Sequence, residues 1–289
     1  MTNPGVTGEL PDQLAIDTDV ARRIIVGFIR EQLRQTGFER LVLGLSGGID
    51  SALVAYLAAE AIGAQRLLCV LMPYRTSSEA SRIDAEEVVR RLGCASELVD
   101  ISSMVDAYFD GPEREDASPL RRGNLMARMR MSVLYDHSVT WGGLVAGTGN
   151  KTEMLIGYTT LYGDSACAMA PIGDLYKSQV RQLSSVMGVP QAILGKRPSA
   201  DLWPGQTDEQ ELGMSYAQLD RLLYWMVDGR REAGELAAMG FDPEVVERVR
   251  RMVAASEFKR QMPPVIKLGP RTTGVDYLYP RRRPGSARQ

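Results

Sequence analysis

Hydrophobic and polar positions follow two alternating patterns along most of the chain. Short, continuous apolar runs at 40–46, 67–73, 97–101 and 143–147 predict buried strands. Between and around these runs, apolar residues recur at helical spacing. This spacing predicts helices at about 20–33 and at 51–63, 77–93, 122–141, 173–188, 216–230 and 243–257. Strands that alternate with helices over short connections indicate an α/β fold: a parallel sheet with helices on both faces, and extra helices at the C-terminal end.

Three segments interrupt this alternation. Residues 1–16 predict a loosely ordered lead-in, and the arginine-rich stretch 269–289 predicts a flexible basic tail. Residues 195–213 are rich in glycine and proline and predict an extended loop, long enough to close over a ligand as a lid. The remaining 17–268 would form the main domain.

The composition argues against several classes of function. A net charge of −2 gives no indication of a nucleic-acid partner. Three cysteines without a C-x-x-C pair argue against a disulfide framework or a zinc site, and a single histidine argues against a Ser-His-Asp triad. We interpret that residue, His137, as structural. The chain shows no signal peptide and no apolar run of about 18 residues, so we expect a cytoplasmic protein that does not bind a membrane.

The stretch SGGIDS at 46–51 joins a predicted strand to a predicted helix. Its two adjacent glycines let the backbone turn tightly and bring N–H groups close to an anion, as in a phosphate site. A carboxylate beside phosphates needs a cation between them, so Asp50 indicates a Mg²⁺ site. The simpler alternative is a tight turn in which Asp50 caps the helix. The stretch matches neither the Walker A loop nor the dinucleotide-binding G-x-G-x-x-G pattern.

SGGIDS resembles the pyrophosphate loop of the ATP-pyrophosphatases, which cleave ATP between its α- and β-phosphates. Four later stretches resemble the NAD synthetase family, and they occur in the same order as in that family. They are RGNLMARMRM (122–131), GTGNKTEMLIGYTTLYGD (147–164), PSADLWPGQTDEQELG (198–213) and ASEFKRQMPP (255–264). The resemblance covers residues 17–268, nearly the whole chain.

This resemblance implies the Rossmann-like fold of the adenine nucleotide α-hydrolases and a specific reaction. Deamido-NAD (nicotinate adenine dinucleotide) would be adenylated by ATP and then amidated by ammonia, giving NAD⁺, AMP and pyrophosphate. This is the last step of NAD biosynthesis. The family also forms homodimers that bind the dinucleotide at the subunit interface.

The resemblance also assigns roles to individual residues. The positions that match the ATP site are Gly44, Leu45, Ser46, Gly47, Gly48, Ile49, Asp50, Ser51, Thr148, Lys177 and Ser199. Asp50 and Glu153 match the ligands of Mg²⁺, and Asp50 and Lys177 match catalytic residues. The positions on the deamido-NAD side are Arg128, Phe258 and Lys259.

The chain departs from the family's short ammonia-dependent enzymes at three positions on the substrate side. Those enzymes commonly carry lysine where Leu161 stands, aspartate where Ala168 stands, and often histidine where Phe258 stands. At these positions the chain is more similar to the synthetase half of the glutamine-dependent enzymes. The resemblance therefore leaves open how the nicotinate end is held, and whether a separate glutaminase supplies ammonia.

Two other functions fit the phosphate loop taken alone. One is a different ATP-pyrophosphatase, such as a tRNA-modifying enzyme, although the near-neutral charge and the lack of a cysteine pair argue against it. The other is a non-catalytic sensor of adenine nucleotides, which would bind ATP without releasing pyrophosphate.

Overall fold

Four parallel strands form the sheet of this protein, in the spatial order β3-β2-β1-β4. The computed structural model describes residues 12–110, 117–199 and 207–272. The strands are β1 (Arg40–Gly44), β2 (Leu67–Leu71), β3 (Ala95–Leu98) and β4 (Gly143–Ala146). The predicted parallel α/β fold is thereby confirmed.

Helices connect these strands and extend the chain beyond the last one. In the described residues they are α1 (Thr18–Thr36), α2 (Ile49–Ile62), α3 (Glu79–Leu92), α4 (Ser102–Phe109), α5 (Pro119–Trp141), α6 (Lys151–Ile156), α7 (Lys177–Val186), α8 (Gln191–Leu194), α9 (Asp208–Leu212), α10 (Tyr216–Leu223), α11 (Ala233–Ala238) and α12 (Pro243–Ala255). None of them combines the length and the apolar composition needed to cross a membrane.

Side chains of the strands point alternately to the two faces of the sheet, and both faces are apolar. On one face, Leu41 and Leu43 of β1 pack with buried residues of α1, α2, α3 and α7. On the other face, Val42 packs with Met126 and Val133 of α5 and with residues of α4. Because both faces of the central strands are buried, their sequences are continuous apolar runs and do not alternate between apolar and polar residues.

The C-terminal helices form a third apolar cluster of their own. Leu219 of α10 packs in it together with Leu236 of α11 and Val246 of α12. The same cluster contains Ile156 at the end of α6 and Tyr176 directly before α7. The C-terminal helices therefore pack against the segments that follow β4, at the carboxyl end of the sheet.

The structure differs from the sequence prediction mainly at short helices. α4, α6, α8, α9 and α11 contain between four and eight residues. Helices this short show too little hydrophobic periodicity to be recognised in a sequence. The helix predicted at 173–188 begins only at Lys177, because residues 171–175 form a turn and a bend.

Other predicted boundaries also moved, and some predicted segments lie outside the described residues. The strand predicted at 97–101 pairs with β2 earlier, over Ala95–Leu98. Most of the predicted lead-in and tail, and residues 200–206 of the predicted loop, are outside the described part of the chain. The loop prediction was wrong at its far end, where α9 begins at Asp208.

His137 occupies a structural position, as the sequence suggested, and Cys69 lies in the core. The His137 ring lies 2.8 Å from the Val133 carbonyl through Nδ1 and 3.0 Å from the Glu97 carboxylate through Nε2. The contact with Glu97 ties α5 to the edge strand β3. Cys69 is fully buried in β2, and the three cysteines are free thiols.

We predict that Leu57→Ala destabilises the fold strongly. Leu57 of α2 is fully buried in the cluster between the sheet and α1, and truncating such a leucine costs about 2–5 kcal/mol because a cavity remains. Urea unfolding measures the loss. Ile83→Ala is the matched control, because Ile83 of α3 is 55% exposed and its truncation should change stability by less than about 0.5 kcal/mol. Equal transition midpoints for the two variants would contradict this account of the core.

Candidate active site

The candidate site lies at the carboxyl ends of β1 and β4, which are neighbours in the sheet. From β1 the chain continues into α2 and then to β2 on one side, whereas β4 lies on the other side of β1. In open α/β sheets, ligands bind in the crevice at such a reversal of strand order. The SGGIDS stretch follows β1, and the GTGNKTE stretch follows β4.

The backbone of the SGGIDS loop requires glycine at its tightest point. Gly47 has φ of 76°, and a Cβ atom placed on it would lie 2.0 Å from the carbonyl oxygen of Ser81. Gly48 is the N-cap of α2 and provides no side-chain cap. The Ser46 hydroxyl accepts from the Gly48 N–H and lies 3.1 Å from the Ser51 hydroxyl. An uncapped helix start behind a glycine turn is the arrangement expected of an anion site.

Asp50 does not cap α2, so the simpler alternative from the sequence was wrong. It lies within the first turn of the helix, behind the N-cap Gly48. Its carboxylate accepts a hydrogen bond from the Asn150 amide at 2.9 Å and one from the Lys177 ammonium at 2.5 Å. Asp50 is therefore directed across the site toward the segments that follow β4.

Glu153 reaches the same ammonium from α6. Asn150 is the N-cap of α6 and forms a capping box with Glu153, in which each residue's side chain accepts from the backbone N–H of the other. The second oxygen of Glu153 lies 3.0 Å from Lys177 Nζ. Two carboxylates from separate strand ends thus contact one cation, the Lys177 ammonium. The expected sharing of Mg²⁺ by Asp50 and Glu153 stays a prediction.

The three charged groups of this cluster are shielded from water. The side chain of Lys177 is 4% exposed, and those of Asp50 and Glu153 are each 17% exposed. Burial opposes the charged form of Lys177, but the two carboxylates outweigh it and raise its pKa above the ordinary value. Burial raises the pKa of Glu153; the Lys177 charge limits that rise and the Asp50 charge adds to it. The ammonium is therefore the fixed charge of the cluster.

The predicted substrate-side residues meet at a different place, the segment 157–164. Arg128 of α5 donates two hydrogen bonds to the Leu161 carbonyl at 3.3 Å. Lys259 donates to the carbonyls of Gly157 and Thr159 at 2.8 and 2.7 Å. Arg130, two residues after Arg128, instead donates to the Met72 carbonyl, as expected for different sides of one helix.

The remaining predicted positions have less specific surroundings. Gly44 ends β1, and the Leu45 N–H donates to the Val70 carbonyl at 3.0 Å. Thr148 is half-buried in the connection between β4 and α6, whereas Ser199 is exposed at the border of the undescribed residues 200–206. Among the substrate-side positions where the chain departs from the short enzymes, Leu161 is half-buried, Ala168 is exposed, and Phe258 is 60% exposed.

Asp208 is buried, although it lies in the stretch 195–213 that was expected to form an extended loop. It begins α9 and accepts hydrogen bonds from the hydroxyls of Tyr158 and Tyr216 at 3.1 and 3.0 Å. The carboxylate of Glu211 lies 2.8 Å from the same Tyr158 hydroxyl, whose single proton the two carboxylates share. This end of the loop is thereby fixed to the residues around the site.

Several residues of the site were missed by reasoning from the sequence. They are Asn150, Thr152, Tyr216 and Asp220. Asn150 could have been found, because an asparagine three residues before a glutamate is the signal of a capping box. No local signal marks Tyr216, whose ring centroid lies 5.1 Å from Lys177 Nζ, because it lies on α10, far from the motifs in sequence.

Comparison with known proteins identifies the family to which this geometry corresponds. The model of the NAD synthase family matches residues 21–263. An NH(3)-dependent NAD(+) synthetase of Trichlorobacter lovleyi is 52% identical over 269 residues, which span 93% of this chain and 98% of the relative. One of Chlorobaculum parvum is 49% identical over 271 residues, which span 94% and 97% of the two chains.

Solved structures give the same correspondence. An NH3-dependent NAD synthetase from Campylobacter jejuni, in complex with the nitrate ion, matches with a TM-score of 0.74 at 32% identity and covers 88% of this chain and 100% of its own. A glutamine-dependent NAD+ synthetase from Acinetobacter baumannii, in complex with ADP, matches with a TM-score of 0.67 at 32% identity. The match covers 92% of this chain but 50% of that one.

We predict that Gly47→Ala abolishes binding of ATP at this loop. A side chain in the left-handed region costs about 1–2 kcal/mol, and the added Cβ atom would force the loop away from Ser81. Isothermal titration calorimetry measures the affinity. Gly27→Ala is the matched control, because Gly27 lies inside α1 with no atom within 4 Å of an added Cβ. Unchanged ATP affinity of the Gly47→Ala protein would show that the loop does not need this conformation.

Proposed function

Because the chain belongs to the NAD synthase family, we propose that it catalyses the ATP-dependent amidation of deamido-NAD with ammonia. The products are NAD⁺, AMP and pyrophosphate. The observation that carries this proposal is the cluster of Asp50, Glu153 and Lys177 beside the uncapped start of α2. It combines donors for phosphate oxygens with two carboxylates that share a cation.

The reaction requires activation because a carboxylate does not accept ammonia directly. A nicotinate carboxylate oxygen attacks the α-phosphorus of ATP, the bond from that phosphorus to the bridging oxygen breaks, and pyrophosphate leaves. Ammonia then attacks the acyl carbon of the adenylate, loses a proton, and displaces AMP. Water must be excluded from the site between adenylation and the attack of ammonia, because it would hydrolyse the adenylate.

Lys177 and the SGGIDS loop would bind the phosphates. The pKa of Lys177 is raised above its ordinary value by Asp50 and Glu153 against the effect of burial, so the side chain keeps its charge. A fixed ammonium in a site shielded from water offsets the negative charge that develops on departing pyrophosphate. The backbone N–H groups at the start of α2 would bind phosphate oxygens in the same region.

Asp50 and Glu153 would hold Mg²⁺. They already share one cation, the Lys177 ammonium, at 2.5 and 3.0 Å. The described residues contain no group of three or more His, Cys, Asp or Glu side chains that could hold a metal, so phosphate oxygens and water would complete the coordination, as is usual for Mg²⁺. When bound, Mg²⁺ neutralises phosphate charge and polarises the phosphorus.

Arg128, Lys259 and Phe258 would form the deamido-NAD side of the site. Lys259 holds the start of the segment 157–164 and Arg128 holds its middle, at Leu161. Phe258 is largely exposed next to Lys259. Arg128 is itself exposed on α5. These contacts support a binding surface on this segment and leave the nicotinate end without an assigned partner.

We further propose that two copies of the chain pair through α5. In the described part of the chain, α4 and α5 are the helices of the apolar cluster on that face of the sheet. The outer side of α5 carries Leu120, Tyr135 and Val139, which are 68%, 39% and 81% exposed. Apolar residues left open along a long helix support a homodimer, which would place Arg128 near the partner.

The nitrogen source would be free ammonia. The curated relatives described above are named NH(3)-dependent, and the chain spans nearly their whole length. The similarity to the glutamine-dependent enzyme concerns half of that enzyme's chain. A separate glutaminase partner and a cytoplasmic location stay predictions from the sequence.

We predict that purified protein supplied with deamido-NAD, ATP, Mg²⁺ and ammonium forms NAD⁺ and AMP in equal amounts, and that removing Mg²⁺ with a chelator stops the reaction. Ammonia-free glutamine should not replace ammonium. Chromatography of the nucleotides measures both products. Binding of ATP without AMP formation would instead identify a nucleotide sensor, and comparable rates with glutamine would show that the chain itself hydrolyses glutamine.

We also predict that Lys177→Ala and Arg128→Ala affect different substrates. A charge-assisted contact contributes about 1.5–3 kcal/mol, or roughly 10- to 150-fold. Lys177→Ala should lower kcat/KM for ATP by that factor and leave deamido-NAD affinity unchanged, whereas Arg128→Ala should weaken deamido-NAD binding alone. Arg121→Ala, which removes an exposed arginine from the same helix α5, is the control. Loss of ATP affinity in both variants, without an effect on deamido-NAD, would refute the assignment.

A further inference from the structure

Asp220 is a fully buried carboxylate that the proposed chemistry does not use. It lies on α10, among the C-terminal helices. One oxygen accepts a hydrogen bond from the Thr152 hydroxyl at 2.6 Å, and the other accepts from the Ser178 N–H at 2.7 Å. The Thr152 oxygen in turn accepts from the Lys177 N–H at 3.0 Å.

These contacts replace the missing cap of α7. The first backbone N–H groups of a helix have no partner within it, and burying them without one is costly. Tyr176, the N-cap residue of α7, makes no side-chain cap hydrogen bond. The N–H groups of Lys177 and Ser178 are instead satisfied by Thr152 of α6 and Asp220 of α10. The negative charge of a carboxylate at this position also interacts favourably with the positive end of the α7 dipole.

The same contacts fix the position of α6. Thr152 lies directly before Glu153 in the first turn of α6 and is fully buried. Its hydroxyl is held between the Asp220 carboxylate and the start of α7. The backbone segments that carry Glu153 and Lys177 are therefore joined through one threonine and one aspartate.

α10 presents a second residue to the cluster on the same helical face. Tyr216 precedes Asp220 by four residues, so the two side chains lie one above the other on the helix. The Tyr216 ring centroid is 5.1 Å from Lys177 Nζ, and its hydroxyl donates to Asp208. α10 thus contacts the side chain of Lys177 directly through Tyr216, and it reaches the Lys177 N–H only through Thr152.

We propose that Asp220 is a positioning residue for the reaction. Through Thr152 and the first turn of α7, it holds Glu153 and Lys177 in the arrangement in which both meet Asp50. This inference rests on the proposed function, because the arrangement matters through the phosphates and the cation that it would bind. Displacement of reacting groups by about 1 Å can cost about 100-fold in rate, even when the change lies away from the chemistry.

The test compares Asp220→Asn, Thr152→Val and Thr152→Ser in the full chain, with Glu60→Gln as the matched control. Glu60→Gln also replaces a carboxylate by an amide, but at the far end of α2, where Glu60 pairs with Arg22. For each variant, thermal unfolding, Mg²⁺-ATP affinity by calorimetry, and kcat and KM for each substrate are measured. The affinity measurement is made without deamido-NAD, so that it does not depend on turnover.

Asp220→Asn and Thr152→Val should each weaken Mg²⁺-ATP binding about tenfold and lower kcat about 10- to 100-fold, with KM for deamido-NAD unchanged. Thr152→Ser keeps the hydroxyl and should restore most of both properties. The double variant Asp220→Asn/Thr152→Val should be no worse than the poorer single variant, because both changes interrupt one network. Glu60→Gln should behave like the unaltered protein in binding and turnover.

Variants that are less stable but bind Mg²⁺-ATP and turn over normally per folded molecule would overturn the positioning role. A Thr152→Ser protein as impaired as Thr152→Val would also overturn it. If the unaltered chain bound Mg²⁺-ATP but formed no NAD⁺, the proposed function would fail, and weaker binding by Asp220→Asn would still support the positioning role. An unaltered chain that did not bind Mg²⁺-ATP would overturn both.

Discussion

The buried contact of the Lys177 ammonium with Asp50 and Glu153 is the interaction on which the arrangement of this site depends. A charge removed from water must be paired, and removing one partner of such a group typically costs about 3–5 kcal/mol. α2, α6 and α7 each contribute one of the three groups, so their first turns must meet at one point. Two carboxylates against one ammonium also leave the cluster suited to a further cation.

The fold supplies this meeting point through its parallel sheet. The carboxyl ends of parallel strands lie at one edge, and the helices that follow them begin there with unpaired N–H groups. β1 and β4 are adjacent although about 100 residues separate them, as their pairing of Val42 with Val145 shows. The C-terminal helices also contribute to the site, because α10 places Asp220 at the start of α7.

The proposed division of the site into a phosphate side and a substrate side corresponds to two different environments in the fold. The phosphate side is buried and rigidly hydrogen-bonded, as charge stabilisation requires. The other side is built around the segment 157–164, which Arg128 and Lys259 hold through its carbonyl groups. A dinucleotide needs an open surface of this kind.

The sequence by itself determined the sheet, the long helices, the glycine turn after β1 and the family. Buried strands and long amphipathic helices leave patterns within about 5 to 20 residues, and a glycine turn needs specific residue types. Only the tertiary structure decided that Asp50 faces Lys177 instead of capping α2, that Asn150 links both carboxylates, and that Asp220 caps α7 from another helix. The physical reason is that buried polar groups must find partners wherever packing places them, and packing joins residues that are distant in sequence.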